Sequence, residues 1–94
     1  MALVWIPRAR GHLIEISSNV AQRDPEAARK TVDRIRDAVA RLDAHPELGR
    51  VGRISGTREL VISGTPYIAV YRVRGRTVRV VAILHTSRQW PDRL

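Results

Sequence analysis

The chain of 94 residues has no cysteine, so no disulfide framework and no thiolate metal site is open to it. It has no apolar run near the roughly 20 residues that span a bilayer. The opening Met1-Ala2-Leu3-Val4-Trp5-Ile6-Pro7 lacks a leading positive charge and is too short for the apolar core of a signal peptide. These absences suit a cytoplasmic protein that does not enter a membrane, although a lack of cysteine is equally compatible with export. There is no internal repeat and no low-complexity segment. Hydrophobic residues make up 44% of the chain, too many for a disordered polymer. A single domain over residues 1–94 is expected.

Acidic residues are also scarce, and unevenly so. Residues 1–47 carry eight basic and seven acidic groups, a net of +1, whereas residues 48–94 carry nine basic and two acidic, a net of +7. Sixteen of the seventeen basic residues are arginine. A GC-rich genome explains arginine in place of lysine, but it does not explain the missing acids. The asymmetry points to a polyanionic partner, either nucleic acid or an acidic protein segment.

The apolar pattern assigns the elements. Ala2 to Ile6 reads as a short strand closed by Pro7, which then suits the first turn of a helix. Ala9, Leu13, Ile16 and Val20 line one face of that helix, which Gly11 and Ser17-Ser18 weaken. Asp24-Pro25-Glu26 starts a second helix with an N-cap, a proline and an acid. Its apolar stripe is Ala28, Val32, Ile35, Val39 and Leu42. Its solvent face offers Glu26–Lys30, Arg29–Asp33 and Asp37–Arg41 at a spacing of four residues. This helix ends near Ala44, ahead of Pro46.

Residues 45–56 read as a Gly-rich loop, followed by strands over 57–62, 67–73 and 77–85 with short turns between them. The order β-α-α-β-β-β predicts an α+β fold, two helices packed on a small twisted antiparallel sheet, with 87–94 as a polar tail. Strict alternation puts Val78, Val80, Ala82 and Leu84 on one face of the last strand and Arg79, Val81, Ile83 and His85 on the other. In the middle strand, Tyr67, Ala69, Tyr71 and Val73 oppose Ile68, Val70 and Arg72. Both faces are apolar, so a partner is expected over the one that the helices leave bare.

Several strings then combine. Trp5-Ile6-Pro7-Arg8-Ala9, Asp24-Pro25-Glu26-Ala27-Ala28 and His45-Pro46-Glu47-Leu48-Gly49 precede Thr57-Arg58-Glu59-Leu60 and Pro66-Tyr67-Ile68-Ala69-Val70-Tyr71-Arg72-Val73. Leu84-His85-Thr86-Ser87-Arg88-Gln89-Trp90-Pro91 closes the pattern. In this order and spacing the chain resembles the RelE/ParE family of toxins from type II toxin–antitoxin systems, on its ParE-like side. Helix 1 departs from the family habit, with His12 where an acid is common and Asn19 where an aromatic is common.

The resemblance implies a toxin neutralised by a cognate antitoxin, with no cofactor. ParE-like members poison DNA gyrase by stabilising its cleaved-DNA complex, whereas RelE-like members cut mRNA on the ribosome. A third possibility is an inactive relative that only binds an antitoxin. RNA cleavage through the 2′-OH needs a base, an acid and cations around the phosphorane-like transition state. RelE-like toxins place an arginine directly after the middle-strand tyrosine, but Ile68 follows Tyr67 here. The gyrase reading is preferred for that reason, and no catalytic residue is expected. A nuclease would draw on His85, with Arg79 on the same strand face and Arg88 in the tail.

Arg72, Arg79, Arg88 and Trp90 are the candidates for contact with the target. Arg58, Ile68, Val70, Arg72, Val81 and Ile83 are the candidates for the antitoxin, as cations beside apolar anchors. Trp5 reads as packing, and Trp90 as either an exposed anchor or packing. Tyr67 and Tyr71 read as half-buried packing rather than a base-stacking platform. His12, His45 and His85 show no metal-ligand spacing, so no metal is expected. Gly49-x-x-Gly52 is a turn signal, because no Gly-Lys-Ser/Thr follows it.

Overall fold

The structure, a computed structural model, describes residues 2–91 and 94. Strand β1 (Ala2–Trp5) leads into α1 (Pro7–Ala21), α2 (Pro25–Ala40) and a 3-10 turn, Arg41–Asp43. Strands β2 (Arg50–Val51), β3 (Arg58–Val61), β4 (Tyr67–Arg74) and β5 (Thr77–His85) complete the chain. The α+β order is the expected one. β2 is a short strand within the region expected to be loop; two residues without apolar alternation leave no sequence signal.

The five strands run in the order β1-β5-β4-β3-β2. β2 to β5 pair antiparallel, but β1 lies parallel to β5, with Leu3 opposite Val78 and Trp5 opposite Val80. The sheet is therefore mixed. The two intervening helices form the crossover that a parallel pair requires.

Local chemistry sets the helix starts. Asp24 Oδ1 accepts the backbone N–H groups of Glu26 and Ala27 at 3.0 and 3.1 Å, and Pro25 occupies the position whose N–H needs no partner. α1 also starts on proline, but Ile6 provides no side-chain cap. The expected spacing-of-four ion pairs on α2 do not form among the described residues. Glu26 takes Arg29 one position closer, at 2.5 Å. Arg34 instead reaches the Gly64 carbonyl at 2.9 Å, tying α2 to the β3–β4 turn.

The main core lies between the helices and the sheet, where Ala9, Leu13, Ile16, Ile35 and Val39 meet Ile62, Ala69, Val80 and Ile83. Leu42, Tyr71 and Val78 extend it. The buried Tyr71 is also a brace: its hydroxyl donates to the Pro46 carbonyl at 2.6 Å and accepts the Gly49 N–H at 2.8 Å. Arg58 Nη1 adds a 2.7 Å bond to the Gly49 carbonyl. The loop before β2 is thus held by β3 and β4.

Candidate functional site

Pairing fixes which side chains share a face, and a β-bulge resets the count. Val70 opposes Ala82 while Tyr71 opposes Val80, so Val81 is the extra residue. Beyond it the alternation of β5 is inverted. Val78, Val80, Ile83 and His85 face the helices, whereas Arg79, Val81, Ala82 and Leu84 face away. The expectation of one uninterrupted alternation along residues 77–85 is corrected accordingly. Ile83 belongs to the helix-side core, and His85 lies on the opposite face from Arg79.

The far face is divided in two. Its apolar half, Ile68, Val70, Val81 and Ala82, is buried, packed against Leu84, Trp90, Leu94 and Ile6. The chain's own tail therefore covers the surface that was expected to await a partner. The tail is anchored by the Trp90 Nε1 bond to the His85 carbonyl at 3.1 Å, and the Arg53 guanidinium sits 3.6 Å from the indole centroid. Arg53 in turn bonds Glu59, whose carboxylate is 2% exposed.

Glu59 accepts from the Arg53 backbone at 2.8 Å, from its side chain at 3.1 and 3.3 Å, and from Arg50 at 3.0 and 3.3 Å. Burial pushes its carboxyl up, but the bonds from Arg53 and Arg50 outweigh this and hold it below the usual carboxylate range.

The other half of the far face is cationic. Arg72 and Arg79 are direct cross-strand partners, and Arg74 follows two residues along β4. Arg72 Nη1 bonds the Ser55 carbonyl at 3.2 Å, while Arg74 and Arg79 are exposed. No carboxylate pairs with any of the three among the described residues.

The helix side holds a cleft of about 260 Å³ at the end of β5, lined in part by His12, Glu15, Tyr67, His85 and Arg88. His85 Nδ1 receives the Ser87 N–H at 3.1 Å and lies 2.8 Å from its hydroxyl, and the ring meets Tyr67 edge-on. His12 Nδ1 accepts the Ile83 N–H at 3.1 Å, next to the bulge. Desolvation, with help from Arg8, lowers its pKa against the opposing pull of Glu15. His12 was legible only as a departure from the family habit, and its anchoring role was missed because it depends on a bulge-displaced amide.

The nuclease set is thus split: His85 and Arg88 border the cleft, and Arg79 is on the other face. The antitoxin set is split too. Arg58 and Ile83 lie on the helix side, Ile68, Val70 and Val81 beneath the tail, and Arg72 in the cationic half. Of the target set, Arg72 and Arg79 are adjacent, Arg88 is exposed in the tail, and Trp90 is half-buried as packing.

Residues 3–90 match the family described as the ParE toxin of the type II toxin–antitoxin system parDE. The Y4kP protein of Sinorhizobium fredii is 43% identical over 94% of this chain and 91% of its own length. Toxin RelE2 of Caulobacter vibrioides is 35% identical over 92% and 96% respectively. A solved structure of the chromosomal ParDE system from P. aeruginosa superposes with a TM-score of 0.83 at 30% identity, covering 93% of this chain and 97% of that one. The chain, with the same two helices on a five-stranded sheet, therefore belongs to the ParE toxin family of type II toxin–antitoxin systems.

Proposed function

We propose that this toxin acts as ParE-like members do, by holding DNA gyrase in its cleaved-DNA complex, and that a cognate antitoxin neutralises it in the cytoplasm. One observation carries the reading. The groups a nuclease would gather are dispersed, with Arg79 across the sheet from His85 and Ile68 buried under the tail in place of a catalytic cation. Arg72 and Arg79, with Arg88 near the cleft, form the target-facing set. Trp90 contributes by holding the tail in place.

The antitoxin fits the remaining exposed apolar surface. Leu3, Val4, Trp5 and Leu13 border a groove of about 580 Å³ between β1 and the helices. A second hollow, of about 320 Å³, continues along Leu13, Ile14 and Val32. Arg36 lines both and suits an acidic, amphipathic segment that folds on binding. Ile68, Val70 and Val81 become available to it only when the tail lifts.

The test is purified toxin added to gyrase with supercoiled plasmid and ATP, quenched with detergent and protease. Linear DNA is the expected product. A chain that stops growth yet traps no cleaved DNA overturns the reading. The cleft holding His85 and Arg88 favours a second one, ribosome-dependent mRNA cutting, for which loss of cutting in His85→Ala is the diagnostic result. A chain harmless when expressed without its antitoxin is an inactive relative.

A further inference from the structure

We propose that the cationic half of the far face, Arg72, Arg74 and Arg79, is a seat for the phosphodiester backbone of double-stranded DNA. The inference deepens the gyrase reading and rests on it only for the complex in which that DNA is met.

Three observations support it. First, Arg72 and Arg79 are register partners on an open sheet face, and like charges directly opposite weaken a strand pair. Arg72 gains one bond, to the Ser55 carbonyl, but that contact does not require a second cation opposite it. Second, no counterion accompanies them among the described residues. Glu59, a carboxylate on that face, is taken up by Arg50 and Arg53, and no carboxylate pairs with Arg72, Arg74, Arg76 or Arg79 among the described residues. Third, the cations form a compact group at the turn end of the β4–β5 hairpin. Arg72 and Arg74 are about 7 Å apart along the strand, and Arg79 lies beside Arg72. Gly75, at φ +56, makes the turn and has no heavy atom within 4 Å of its missing Cβ, so a bulky ligand can approach closely.

The surroundings choose between polyanions. An acidic amphipathic protein segment needs apolar anchors beside the cations, and those of this face, Ile68, Val70, Val81 and Ala82, lie beneath Trp90 and Leu94. Single-stranded nucleic acid is held by stacking on aromatic rings. Trp90, which packs on this face, is already stacked by Arg53. What remains is a patch of planar guanidiniums suited to bidentate phosphate contact without base readout.

The experiment measures binding of a short labelled duplex of mixed sequence to the whole chain, by fluorescence anisotropy between roughly 50 and 200 mM salt. Two variants of equal charge are compared: Arg72→Gln/Arg74→Gln/Arg79→Gln, and a helix-side control, Arg8→Gln/Arg23→Gln/Lys30→Gln. Circular dichroism melts confirm that both are folded. The hairpin variant is expected to flatten the slope of log affinity against log salt by about 2.7, three phosphate contacts at about 0.9 each, with the control near wild type.

Absence of duplex binding overturns the proposal, as does equal weakening by the control. Equal or tighter hairpin-dependent binding of single strands or of a polyglutamate peptide also overturns it. The gyrase assay is read separately. Trapped cleaved DNA with hairpin-independent duplex binding sinks this inference and leaves the gyrase reading standing. Hairpin-dependent duplex binding without trapping does the reverse.

Discussion

Arg53 sandwiches two roles, its guanidinium lying 3.6 Å from the Trp90 ring centroid while its Nε bonds Glu59 at 3.1 Å. This joins the tail to the sheet. Trp90 places an amphipathic ring over Ile68, Val70 and Ala82 and directs its N–H to the His85 carbonyl.

Trp90→Ala is therefore expected to detach the tail at a cost of about 2 kcal/mol, between an exposed cation–π contact and the loss of a buried aromatic. Hydrogen exchange should accelerate in residues 86–90, and binding of a hydrophobic dye should increase as Val70 and Val81 are uncovered. A tail whose exchange is unchanged in Trp90→Ala would show that this contact does not hold it. Arg53→Lys keeps the charge but loses the planar stack and the fork, so it should reproduce part of the effect.

Much of the fold was legible because helices and long strands carry periodic signals. Ala28, Ile35 and Val39 are buried on α2 as their spacing required, and Asp24 caps it as expected. The parallel β1–β5 pair and the bulge at Val81 were not legible. Both are decided by which strand lies beside which, and the apolar run Val80-Val81-Ala82-Ile83-Leu84 reads the same with or without an extra residue. That single residue moved Ile83 and His85 to the helix side, away from Arg79. The tail was misjudged as polar because Trp90 and Leu94 are separated among charged neighbours, and only the folded chain brings them together over Ile68.

Tyr71 offers a sharper test of how the loop before β2 is held. Tyr71→Phe leaves the Gly49 N–H and the Pro46 carbonyl without their partner, in a site where the ring is fully buried. The expected loss is about 1–3 kcal/mol in urea unfolding. Gly49→Ala should be similarly harmful for a different reason. An added Cβ would meet the Tyr71 hydroxyl at 2.6 Å and the Glu59 carbonyl at 2.9 Å, so the loop must shift. A Gly49→Ala protein as stable as wild type would refute that close approach.

Glu59→Gln probes the buried carboxylate. The amide keeps the shape but leaves two guanidiniums facing a neutral group, and about 2 kcal/mol should be lost at neutral pH, less than for a wholly buried pair because both arginines are about half exposed. Since the folded-state pKa of Glu59 is lowered, its stabilisation is complete well above 4.5 and vanishes as pH falls through the folded value. The gap between wild type and variant should narrow on acidification below 4.5. A gap independent of pH would mean that the carboxylate charge contributes nothing.

His12 should govern stability in a higher range. Its Nδ1 accepts the Ile83 N–H, so the bond exists only while that nitrogen is unprotonated, and burial lowers the pKa in the same sense. The unfolded chain, with an ordinary value of 6.5, takes up a proton first as pH falls. Protons then favour unfolding, so this contribution is intact above pH 6.5 and declines below it, until the folded-state pKa is passed. His12→Gln presents an amide oxygen to the same N–H without titrating. Urea unfolding followed from pH 7.5 to 5.5 should show wild type losing stability relative to His12→Gln, with the anchor of α1 to β5 weakening first. Parallel curves for the two proteins would place the proton elsewhere and remove His12 from the account of this junction.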